Sequence, residues 1–246
     1  TVISSGVGCY SGAYAYSSAL SADGSMVAYV DQNNDLFVKP LPSSPPRQIL
    51  GATDVHCSPS TSNVALDGDG SLVAYVEYED GTNTGDKTAR LKVSSTSGDA
   101  EPKLIDELTA VDGGGWPSIG DIQSPVLSAD GTRIAYQVFT SSQWKLRVKD
   151  IGGTPTAVGN DRLLTPALTF GPTEAVPARA SLSANGSAMA WVRIERIEIP
   201  PAPGLGMPTY KNRGHLYVAA PSNNSPTEID PLGGDLDGDG SDNPGF

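Results

Sequence analysis

Short apolar runs separated by turn signals dominate the chain. "MVAYV" at 26–30, "LVAYV" at 72–76, "RIAYQ" at 133–137 and "AMAWV" at 188–192 are of strand length and almost wholly hydrophobic. Such runs, bounded by Gly and Asp, read as strands buried on both faces. Asp-Gly or Asn-Gly precedes each, at Gly24, Gly70, Gly131 and Gly186. These dipeptides accept positive φ and form tight hairpin turns. Ala28, Ala74, Ala135 or Ala190 follows four residues after the Gly, and next comes Tyr29, Tyr75, Tyr136 or Trp191. The chain thus writes one phrase four times: "LSADGSMVAYV", "LDGDGSLVAYV", "LSADGTRIAYQ" and "LSANGSAMAWV".

Two further strands are predicted in every unit. The third is "LFV" at 36–38, "LKV" at 91–93, "LRV" at 146–148 and "LYV" at 216–218. The fourth begins with "RQIL" at 47, "PKLI" at 102, "PTAV" at 155 and "PTEI" at 226. Only "PKLIDELTAV" has any helical look. The units step by 46, 61 and 55 residues. Periods of about 40–50 residues with four strands each mark the blades of a β-propeller. A blade hides its faces only against its neighbours, which explains a middle strand that is apolar on both sides. Ala beside a large aromatic lets adjacent sheets approach closely. The excess lengths, "EYEDGTNTGDKTA" and "IERIEIPPAPGLGMPTYKNRG", read as loop insertions.

The expected fold is therefore all-β, a propeller of four blades with four antiparallel strands each. Its blades lie approximately at 13–52, 53–111, 112–160 and 161–230. An arm at 1–12 precedes them and an acidic, Gly-rich tail at 231–246 follows. The phrase "LSxDGxxIAYxxxxxxxLxVxD" resembles the TolB-like, PD40-type propeller repeat over most of residues 13–230. That resemblance implies the fold and leaves the function open, because the repeat serves periplasmic adaptors, peptidase gating domains, lyases and surface proteins alike.

Composition narrows the function classes. Net charge is −12, which repels phosphate backbones and argues against a nucleic-acid partner. No apolar run approaches the ~20 residues that cross a membrane. The chain opens at Thr1, which fits removal of a leader and hence an extracellular or periplasmic place. Cys9 and Cys57, the two cysteines, occupy near-equivalent places 15 residues before Gly24 and 13 before Gly70. A disulfide between them is expected in an exported protein, with two buried thiols as the other reading.

Candidate chemistry is sparse. The histidines are His56, beside Cys57, and His215, which reads as a strand-edge residue. No G-x-S-x-G elbow occurs. Oligogalacturonate-lyase-type propellers rely on several metal-binding histidines, a poor match to two. The Asp residues of the repeated turns read as turn formers. Trp116, in "DGGGWPSIGD", either packs on the ring or presents an exposed aromatic for stacking on sugars. The tail carries the metal signal. Asp235, Asp237 and Asp239 alternate, followed by Gly240 and Asn243, in the 1, 3, 5 spacing of EF-hand-type calcium loops. The same run resembles the calcium loop of FG-GAP repeats, with Asn243 in place of the last Asp. The expectation is a secreted, non-catalytic, Ca²⁺-binding structural or interaction module. Its partners are copies of itself or another surface protein, and head-to-tail self-assembly into a filament or layer is one form of this. The alternatives are a monomeric binding domain, or a carbohydrate-active or hydrolytic enzyme with a site on the propeller face.

Overall fold

The computed structural model describes residues 17–31, 33–49, 51–52, 54–55, 62–80, 87–98, 100–110, 121–140, 143–151, 162–163, 180–199, 209–220 and 227–230. Every regular element among them is a strand. Blade 1 holds β1 (Ser18–Leu20), β2 (Met26–Val30), β3 (Leu36–Pro40) and β4 (Arg47–Gln48). Blade 2 holds β5 (Val64–Leu66), β6 (Leu72–Asp80), β7 (Lys87–Ser95) and β8 (Lys103–Ala110). Blade 3 holds β9 (Asp121–Leu127), β10 (Arg133–Thr140), β11 (Gln143–Asp150) and β12 (Arg162–Leu163). Blade 4 holds β13 (Ser181–Leu182), β14 (Met189–Ile199), β15 (Thr209–Ala219) and β16 (Thr227–Asp230). Each is a four-stranded antiparallel sheet in chain order, the meander expected of a propeller blade.

"PKLIDELTAV" is strand β8, the fourth strand that the repeat predicts there. One sequence expectation changes. The two supposed loop insertions are mostly longer hairpins: β6 and β7 pair out to Asp80↔Lys87, and β14 and β15 out to Ile199↔Thr209. "PTAV" at 155 lies outside the described residues; among the described residues the strand that pairs with the outer side of β11 is Arg162–Leu163.

The repeated phrase builds the joints between blades. Alternation along the second strand sends Ala one way and the aromatic the other. Ala28 of blade 1 and Tyr75 of blade 2 share one buried cluster. Ala74 and Tyr136 share the next, and Ala135 and Trp191 the third. A small side chain thus faces a large one at every joint, and both are buried. Each large side chain so buried contributes about 1.5–3 kcal/mol.

The turns form a second set of joints. Gly24, Gly70, Gly131 and Gly186 all have positive φ, between 62° and 72°. The Asp23 amide donates to Gly68 O at 3.1 Å, that of Gly68 to Ala129 O at 2.9 Å, and that of Asp130 to Ala184 O at 2.9 Å. Neighbouring turns are thereby linked in series from blade 1 to blade 4. At Gly70 an added Cβ would collide with Met26 and Ser21 of blade 1, whereas at Gly24 it meets nothing among the described residues. Gly70→Ala is therefore expected to cost about 2–3 kcal/mol, from backbone strain plus overpacking. Gly24→Ala should cost about 1 kcal/mol, from strain alone. Urea unfolding of the two variants measures the difference.

Candidate functional site

The turn carboxylates come first because they recur. Asp23 Oδ1 accepts from the Ser25 amide at 2.9 Å and from Ser21 Oγ at 2.6 Å. Asp130 does the same with Thr132 and Ser128, and Asn185 with Ser187 and Ser183. Blade 2 replaces the Ser with Asp67, which accepts from Ser71 Oγ and the Leu72 amide. The Asp23 acid is held below its ordinary range chiefly by the Ser21 hydroxyl, Asp69 by the Ser71 amide and Asp130 by the Ser128 hydroxyl. These residues close turns, as their setting in the sequence indicates.

Three polar residues link the first strands of blades 1, 2 and 3 at the end away from the turns. Ser17, Asn63 and Ser124 each stand twelve residues before the aromatic of their blade. The Asn63 amide donates to Ser17 Oγ at 3.2 Å, and the Ser124 amide donates to Asn63 Oδ1 at 3.2 Å. All three are buried. Ser124 has φ 51°, and the β9–β10 ladder shifts register beside it. Its buried Oγ finds no partner among the described residues. Beside them a cavity of about 270 Å³ among these first strands is lined by Ala19, Leu20, Ala65, Leu66, Ser124 and Leu127, among others. A second cleft, of about 590 Å³, separates blades 1 and 2 between Met26, Val38, Pro45, Pro46 and Thr96. Arg47 bridges its edge by donating to the Thr96 and Ser97 carbonyls.

Blades 2 and 3 share the densest polar chemistry. Asp121, at the start of β9, is 3% exposed. Tyr78 on β6 donates its hydroxyl to Asp121 Oδ1, and Gln123 Nε2 donates to Oδ2 at 2.5 Å. Burial pushes the Asp121 acid up to about 7, against the lowering effects of Gln123 and the Ile122 amide. Further out, Asp106 on β8 accepts from Tyr136 Oη at 2.8 Å and from Arg147 Nη1 at 2.7 Å. Lys149 lies 3.5 Å from its other oxygen. At the joint of blades 1 and 2, Glu77 pairs with Lys92 at 2.5 Å, yet burial still raises its acid above the usual range. This arrangement can hold a proton near neutral pH and cross-link blades.

The residues that sequence alone singles out fall elsewhere. Cys9, Cys57, His56, Trp116, Asp235, Asp237, Asp239 and Asn243 lie outside the described residues. His215 sits within β15 opposite Arg193, not at a strand edge, with its ring 6.5 Å from that of Tyr217. Among the described residues no group of three His, Cys, Asp or Glu is placed to hold a metal ion. Sequence reasoning passes over Asp121, Tyr78 and Asp106. A lone signal for Asp121 exists: an acid opening the apolar strand "DIQSPVL".

No family model matches the chain, and no curated protein matches it. Solved structures do. An oligogalacturonate lyase from Vibrio parahaemolyticus shares 14% identity at a TM-score of 0.51, covering 87% of this chain and 52% of that one. An oligogalacturonate lyase in complex with manganese shares 13% at 0.53, with 87% and 52% covered. The β-propeller domain of the Trilobed protease from Pyrococcus furiosus shares 11% at 0.50, with 89% and 57% covered. The chain spans little more than half the length of these propellers. At such identities the likeness establishes the fold, and it agrees with the four sheets and the repeat.

Proposed function

We propose that the chain is an exported, non-catalytic propeller module that serves assembly. The observation that carries this is the use made of the repeated polar residues. In every blade they close a turn, and the turns are linked to one another by backbone hydrogen bonds. The conspicuous motif of the sequence therefore builds contacts between blades. An acidic chain with a net charge of −12 suits a surface that works with proteins and divalent cations. No helix among the described residues is long and apolar enough to cross a membrane. In this reading Cys9 and Cys57 form a disulfide that ties the arm to the entry of blade 2. Asp235, Asp237, Asp239 and Asn243 bind Ca²⁺, and the arm joins one copy to the next.

The test is the size of the native species by sedimentation, with calcium or with a chelator. The parent protein should associate with calcium present. Deleting residues 1–8 should give monomers with an unchanged far-UV spectrum. Chelation should lower the melting temperature, since a ligand that binds only the folded form stabilises it. Asp237→Ala should remove that response. A parent protein that stays monomeric at high concentration with calcium refutes the assembly reading. A melting temperature indifferent to chelation refutes the metal.

A further inference from the structure

The three internal joints state a rule, and the two ends of the blade series are left with its unmatched halves. In blades 1, 2 and 3 the following face is fully buried. It comprises Ala28, Val30, Leu36 and Val38; Ala74, Val76, Leu91 and Val93; and Ala135, Leu146 and Val148. Strand register places Ala190, Val192, Leu216 and Val218 of blade 4 at the same positions. There Ala190, Val192 and Val218 are only half-buried and Leu216 is exposed. The leading face of blade 1 shows the converse. Leu66 and Leu127 pack against the preceding blade and are 9% and 6% exposed, whereas the equivalent Leu20 is 61% exposed. On that face Tyr29 is buried and stacks on Phe37, with ring centroids 5.7 Å apart. Val27 is buried there too, so the opening lies at the turn end, around Leu20 and Gly24. Gly24 faces open space there, while Gly70, Gly131 and Gly186 each press on the blade before.

We infer that these two ends fit each other between copies: the following face of blade 4 receives the turn end of the leading face of blade 1, at Leu20 and Gly24, of a second copy. The inference deepens the assembly reading by naming the joint, and it rests on that reading. The chemistry of the occupant is set by the internal joints. Ala190 takes the place of Ala28, Ala74 and Ala135, and so leaves room at the joint for a large side chain of the partner; the exposed one on blade 1 is Leu20. Gly24 settles over Ala188, which stands two residues after Gly186 as Met26 stands after Gly24. The turn of blade 4 continues the backbone series of the other turns by donating to Ala22 O. Four blades matching 57% of one propeller domain subtend only part of such a ring, so a second arc has room. A contact of unlike faces is head-to-tail, and it closes a ring of two copies or runs on as a filament.

The test uses the whole chain and three variants. Leu20→Asp and Leu216→Asp place a charge on one end each, at sites exposed enough to leave the fold intact. Leu104→Asp, on the exposed side of β8, is the control. Each end variant should weaken self-association about tenfold or more with an unchanged melting temperature, and the control should not. Mixing the two end variants should restore a dimer, because each keeps the face that the other lacks. If the parent associates but the mixture stays monomeric, the joint is wrong. If only deletion of residues 1–8 abolishes association, the joint is wrong while the assembly reading stands. If the parent never associates, both fall.

Discussion

Raising the pH from 5 to 8 is expected to lower the folding stability by about 2–3 kcal/mol through Asp121 alone, and Asp121→Asn is expected to abolish that loss. The sign follows from the direction of the shift. The acid of Asp121 lies near 7 in the folded chain, above its ordinary 3.8. Between those values the folded chain keeps a proton that the unfolded chain releases, so unfolding is favoured as pH rises. The contribution is fully present below the ordinary value and gone above the folded one. The physical cause is placement. Tyr78 and Gln123 donate to the carboxyl group, both are neutral, and neither offsets a buried charge as a cation would. Asn keeps the shape and has nothing to ionise. Parent and variant should be similar at pH 5, and the variant the more stable at pH 8. Glu77 adds a slope of the same sign to both, so the difference between their curves isolates Asp121. Urea midpoints across pH measure it, and parallel curves would show that Asp121 does not titrate in this window.

Tyr136→Phe and Tyr75→Phe should have opposite outcomes, although the two tyrosines fill the same place in the repeat. The Tyr136 hydroxyl donates to Asp106. Removing it takes a donor from a half-buried carboxylate, an interaction worth about 1.5–3 kcal/mol. The Tyr75 hydroxyl is buried with no partner among the described residues. Burial and the nearby Glu77 charge push its acid well above the usual range, so it stays neutral. Deleting an unsatisfied hydroxyl removes a desolvation penalty, and Tyr75→Phe should be neutral or stabilising by up to about 1 kcal/mol. Thermal unfolding distinguishes them. Equal losses in the two variants would mean that Asp106 does not hold Tyr136 as described.

The contrast shows which part of the molecule is legible in sequence. The repeat displays both tyrosines, their Ala neighbours and their turns, because strand periodicity and positive-φ turn chemistry are local. It does not display Asp106, which approaches Tyr136 from another blade 30 residues away. Asp121 and Tyr78 are likewise 43 residues apart and belong to different sheets. Tyr78 also lies in a segment that reads as a loop insertion, when pairing with Lys87–Ser95 makes it strand. A hairpin's length depends on its partner, so composition alone misplaces it.

The sequence by itself determined the four sheets, their meander order, the tight turns and the residues that fill the joints. Each of these depends on alternation within a few residues or on glycine's access to positive φ. Tertiary structure decided the rest. It determined which blade faces are buried, which acids meet donors and which meet cations, and where an apolar face stays open. Those properties arise only when distant segments come together. Leu20, Leu66 and Leu127 carry the same side chain at the same repeat position, and only the neighbouring blade makes the first exposed and the others buried.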